Sequence, residues 1–147
     1  MHKEFDLDVT RESILAEGVP FLETAENILS HFGGTYFIRY HNRQNGEDKA
    51  PKLASDVVAH FDAKRAMDQT DPGWFEHWAE RIGKQVTPIG ACGQDHAVLM
   101  VDEAGAIYGG FDECLGRIAD SIEEAVLGFA DRKRGRWESI PVKEKYE

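Results

Sequence analysis

The sequence predicts a single α+β domain in which an antiparallel sheet has helices packed around it. Three observations carry this. The apolar periodicities run helix, helix, strands, helix, hairpin, helix, and lack the strict strand–helix alternation of a parallel sheet. Residues 96–108 read as a hairpin, which only antiparallel strands form with a short turn. The 147 residues match the size of one domain, enough to bury a core without disulfides.

Each element has its own signal. A first helix is expected to open at Thr10 as N-cap, to carry Ile14 and Leu15, and to close at Gly18. Pro20 suits the first position of a second helix, whose apolar stripe is Phe21, Ala25, Ile28, Leu29 and Phe32. Gly33-Gly34 stops it. Tyr36 to Tyr40 is aromatic and β-branched, a strand, and Asn42 to Lys52 is a polar loop. Val57 to Phe61 is a second strand, followed by a polar stretch up to Asp71-Pro72. There an N-cap and a helix-starting proline open a helix with Trp74, Phe75, Trp78 and Ile82 on one face, ended by Gly83.

Val86 to Ile89 reads as a strand near a sheet edge, because Pro88 lacks a ladder donor. His96 to Val101 is a core strand, Asp102-Glu103-Ala104-Gly105 a turn, and Ala106-Ile107-Tyr108 the returning strand. Ser121 and Glu124 form a capping box for a last helix with Ile122, Ala125, Val126 and Phe129 inward. Beyond residue 130 the periodicity fails. The division is therefore a domain over 1–130 and a basic, loosely ordered tail over 131–147.

Charge is the strongest compositional feature. The chain carries −10 overall, with 41% hydrophobic and 30% charged residues. From Asp131 to Glu147 there are six basic and four acidic side chains, so the first 130 residues carry −12. Asp95 to Glu124 alone holds eight acids against one base, Arg117. Such a field disfavours nucleic acid and anionic lipid and favours basic proteins; plain solubility is the simpler explanation for acidity alone. No apolar run reaches the roughly 20 residues that span a bilayer, and the N-terminus has no secretory h-region. Two widely separated cysteines, Cys92 and Cys114, fit free thiols in a reducing cytoplasm.

A catalytic set is missing. There is no phosphate-binding loop, no dinucleotide fingerprint and no nucleophile elbow. His2-Lys3-Glu4 resembles part of a zinc-deaminase motif but lacks its Pro-Cys-x-x-Cys partner. Cys92, in the small-residue run Gly90 to Gly93, is the less improbable nucleophile of the two thiols; acids flank Cys114. His96 would need metal partners that sequence does not supply, and Asp112-Glu113 are adjacent, so their side chains point apart. No enzyme activity, cofactor or metal is expected. Trp74 and Trp78, four apart, share a helix face: core packing is the default, and a partner anchor is the alternative if that face is only partly covered.

Taken in order, these motifs resemble the SUKH superfamily of immunity proteins, in particular its third subfamily, over roughly residues 10 to 130. The resemblance rests on Phe21-Leu22 running into Phe32-Gly33-Gly34, and on the strand ending at Phe61-Asp62 with Ala63 and Ala66 behind it. It continues through the tryptophan helix into Ile82-Gly83, then Val86 to Gly90, Leu99 to Asp102, Gly105, Ile107-Tyr108, Leu115-Gly116 and the Ser121 to Phe129 helix. The long loop at 42–52 and the basic tail depart from it. It implies a bacterial protein that neutralises a cognate polymorphic toxin, often a nuclease or deaminase, inside the producing cell. Gly33, Gly34, Trp74, Trp78, Pro88, Gly105, Tyr108 and Gly116 are then fold-making residues. No contact residue carries over, because the toxin-facing surface differs between members.

The expected partner is a basic toxin domain. The expected contact surface is an acidic edge made of Asp102, Glu103, Asp112 and Glu113. An adaptor that binds a non-toxin regulatory protein is the second reading, and a small enzyme using Cys92 the third.

Overall fold

The computed structural model describes residues 5–38, 57–93, 96–131 and 135–142. Its sheet is a seven-stranded antiparallel meander whose spatial order repeats the chain order: β1 (Tyr36–Ile38), β2 (Val57–His60), β3 (Val86–Cys92), β4 (Ala97–Asp102), β5 (Ile107–Phe111), β6 (Cys114–Ala119) and β7 (Glu138–Ser139). Among the described residues five helices accompany it: α1 (Leu7–Ala16), α2 (Glu23–Phe32), α3 (Ala63–Asp68), α4 (Gly73–Ile82) and α5 (Ile122–Ala130). The α+β antiparallel expectation holds. None of these helices is long and apolar enough to cross a membrane.

Every residue of β4 is buried, so both faces of the sheet are covered there. Adjacent glycines of β5 mark the two faces. A Cβ on Gly110 would meet the Trp78 indole of α4, whereas one on Gly109 would meet Trp137 and Ile118. Successive strand residues point to opposite faces, so Trp78 and Trp137 lie on opposite sides of the sheet. An aromatic cluster of Phe32, Phe37, Phe61 and Phe129 joins α2, β1 and α5, with ring centroids 5.6–6.3 Å apart.

Several boundaries differ from the sequence reading. Asp6, not Thr10, caps α1 through a bond from the Val9 N–H to its carboxylate (3.1 Å), and Thr10 is buried within the helix. Pro20 precedes α2 in an extended segment: its carbonyl accepts from the Thr87 hydroxyl (2.7 Å), and the Leu22 N–H donates to the same hydroxyl. The polar stretch after Phe61 contains α3, started by the Asp62 side chain accepting from the Arg65 N–H. The Val86–Ile89 strand is the first part of β3, a strand inside the sheet order, but β2 pairs with β3 only at Ala91 and Cys92. Val86 to Pro88 pair with β4 alone, which leaves the other side of Pro88 without a ladder partner, and the register with β4 shifts between Pro88 and Gly90. Cys92 ends that strand instead of sitting in a turn.

The tail departs most. Its described part adds β7 to the β6 edge, and the Ile140 N–H donates to the Leu115 carbonyl (2.8 Å). The indole of Trp137 lies on Gly109 and Gly116, where a Cβ would collide with it. The loop at 42–52, His2-Lys3-Glu4, Asp95 and residues 132–134 lie outside the described residues.

Candidate partner-binding surface

The four acids expected to form one edge divide between two places. Asp102 ends β4 and Glu103 follows it in the β4–β5 turn, whereas Asp112 and Glu113 make the β5–β6 turn. Consecutive turns of a meander fall at opposite ends of the sheet. The five residues of β5 therefore separate the two pairs by about 17 Å, at roughly 3.4 Å per residue. There is no single acidic edge of these four residues.

Asp102 leaves the surface altogether. It is 0% exposed. Its Oδ1 accepts from the Ala104 N–H (2.8 Å) and the Ala106 N–H (3.0 Å), and its Oδ2 from the Tyr108 hydroxyl (2.8 Å). A buried carboxylate needs such donors, and these lock the turn in which Gly105 takes φ +95°. Asp102 is thus a fold-making residue rather than a contact candidate. Burial, then the hydrogen bond to Asp102, push the Tyr108 hydroxyl up to about 12. Glu103 remains exposed beside it.

The other end is organised by α4. Gly83 closes that helix with φ +82°, and Phe75, Trp78 and Arg81 form its buried face. Two of these side chains hold the β5–β6 turn by its carbonyls. The Trp78 Nε1–H donates to the Asp112 carbonyl (2.8 Å) and the Arg81 guanidinium to that of Glu113 (2.6 Å). Arg81 also donates to the Ile140 carbonyl and so ties the tail to the same turn. Asp112 takes φ +49°, left-handed and unusual for a residue with a side chain. With both carbonyls engaged, the carboxylates of Asp112 and Glu113 stand exposed.

Beside this turn lies a cavity of about 370 Å³. Trp74 and Trp78 line it, stacked at 5.9 Å and 21°, together with Phe111, Asp71, Asp112 and His96. Trp78 is core, as the residue spacing favours; Trp74 is half-buried and faces the cavity. In the linear pattern the tryptophans and the acidic turn are separate features. Nothing in the linear pattern joins them, because 38 positions separate Trp74 from Asp112 and the β5–β6 connection brings them together.

The enzymatic alternatives lose ground on geometry. Burial pushes the Cys92 thiol up to about 12, so it is protonated at neutral pH and a poor nucleophile. Cys114 is exposed on β6, and both thiols are free. His96 is exposed. Among the described residues no group of three or more His, Cys, Asp or Glu is placed to hold a metal.

A family profile described as SUKH-3 immunity protein matches residues 5–130, most of the chain. The chain belongs to the SUKH-3 immunity protein family. Neither a curated protein nor a solved structure matches it. The SUKH-3 match ends where α5 ends, so β7 and Trp137 lie beyond it.

Proposed function

We propose that this SUKH-3 chain binds and neutralises a cognate polymorphic toxin, a nuclease or deaminase domain with a basic cleft, in the cytoplasm of the producing bacterium. The observation that carries this reading is the family match over residues 5–130. Inhibition is by binding, without catalysis by the chain itself. Charge supports the basic partner: −10 overall disfavours direct contact with nucleic acid and attracts the proteins that cleave or modify it. Each exposed ion pair is worth about 1 kcal/mol or less, but several together raise association rates about ten- to a thousand-fold.

Among the four acids first considered, Asp112 and Glu113 are the preferred contacts. Asp112 lines the same cavity as half-buried Trp74, Glu113 follows it in the turn, and aromatic side chains anchor interfaces. Glu103 belongs to a separate, weaker candidate. Co-expression with the C-terminal domain of the toxin encoded beside the gene tests the function, scored by rescue of growth and co-purification. Absence of both rejects it. Asp112→Lys with Glu113→Lys should weaken the complex at least ten-fold in low salt, and Glu103→Lys less than three-fold. The reverse ranking would move the contact to the β4–β5 turn.

A further inference from the structure

We infer that the cavity between α4 and the β5–β6 turn is a receptor for one arginine side chain of the partner. The inference rests on the toxin-binding reading for its biological partner, but the site itself is argued from its lining. A guanidinium is planar, permanently charged and weakly hydrated. It stacks on an aromatic face and bonds in a fork to a carboxylate. The cavity offers both. Trp74 supplies a half-buried aromatic wall, held by stacking on Trp78 and by edge contact with His77 at 5.3 Å. Asp71 and Asp112 supply carboxylates on two different elements.

The Asp71 carboxylate and the Asp112 backbone are each held in place by a hydrogen bond. Asp71 Oδ1 accepts from the Gly73 N–H (2.9 Å) at the start of α4. Asp112 is positioned through its carbonyl on Trp78 Nε1. Among the described residues, no Lys or Arg lines the cavity. A volume near 370 Å³ admits one long side chain, not a folded element, and its polar character suits a cationic tip more than an aliphatic one. Phe111, 42% exposed at the rim, would cover the methylene stem.

The test is a titration of the full chain, followed through the Trp74 indole N–H by NMR. One probe is a blocked tripeptide with arginine at its centre; the other replaces arginine by citrulline, isosteric and neutral. A saturable shift with the arginine peptide, at least ten-fold weaker with citrulline, is expected. Asp71→Asn with Asp112→Asn should abolish that preference. Asp71→Asn keeps a side-chain oxygen to accept from the Gly73 N–H, and Asp112→Asn tolerates the left-handed backbone, so an unchanged melting temperature is expected. Equal binding of the two peptides, no shift with either, or a preference retained in the double variant would overturn the site. The toxin separates the two levels. If the double variant rescues and binds as well as the unaltered chain, the arginine receptor fails while immunity stands. If the unaltered chain does not rescue, immunity fails and the peptide titration still decides the site.

Discussion

The Asp102 carboxylate serves three donors at once in the interior, two backbone N–H groups and the Tyr108 hydroxyl. Alanine at this position would strand the Tyr108 hydroxyl and two backbone N–H groups in the interior. The expected loss is about 3 kcal/mol or more, read from urea unfolding. Glu103→Lys, one residue on and exposed, should change stability by less than about 0.5 kcal/mol. A charge reversal at Asp102 would therefore report on folding, not on partner binding. Tyr108 adds an alkaline signature. Its hydroxyl titrates near 12 in the fold against an ordinary 10.0, so its contribution is complete below pH 10 and disappears as pH rises toward 12. Burial moves Cys92 in the same direction, from 9.0 to about 12. The urea midpoint should fall across pH 9–12, and less steeply in Tyr108→Phe.

Among the elements, two glycines should respond differently to a methyl group or larger. A Cβ on Gly90 would run into the backbone carbonyl of His60 on the neighbouring strand, so Gly90→Ala should cost more than about 3 kcal/mol. The three atoms nearest a Cβ on Gly116 all belong to the Trp137 indole, which immediately precedes the two-residue strand β7. Gly116→Val should release that strand while the rest of the fold persists. Trp137 emission would shift to the red and the tail would become cleavable; an unchanged spectrum would contradict the docking. The tail also has an electrostatic clasp. Arg136 and Arg117 both donate to Asp120, which holds its carboxyl below the ordinary 3.8. That contribution is present above pH 3.8 and is lost as pH falls through the depressed value. Asp120→Asn should flatten the acid limb of a urea-midpoint profile between pH 5 and 2.

What could be read in the linear chain depended on how local the cause was. Helix α4, the hairpin of β4 and β5, and the Ser121 cap of α5 follow from neighbouring residues, and they were expected where they occur. Helix α3 has six residues, too few for a 3.6-residue period to show. The apolar pattern of β6 is broken by Gly116 and Arg117, although the strand itself is continuous, and β7 forms by pairing with the β6 edge. The acidic edge failed for a topological reason: residues 102–103 and 112–113 are close in number but occupy opposite ends of β5. The cavity needs a contact between α4 and the β5–β6 turn that no local pattern encodes.

At the scale of the molecule, long-range charge controls encounter more than grip. With −10 on the chain, association with the proposed basic toxin should slow at least ten-fold between 0.05 and 0.5 M salt, as the Debye length falls from about 14 to 4 Å. Dissociation should change less, since the desolvated contacts are screened less. Stopped-flow association and dissociation rates check this; a salt-independent on-rate would mean that the acidic balance serves solubility alone. The meander has a consequence of another kind. Sheet order equals chain order from β1 to β7, so each strand leaving the ribosome finds its partner already made and waits for none still to be synthesised. Growth from one edge keeps ring closures short for a β-rich chain and favours rapid maturation during translation. For an antidote, the interval between synthesis and protection is then limited by translation rather than by a slow search for strand partners.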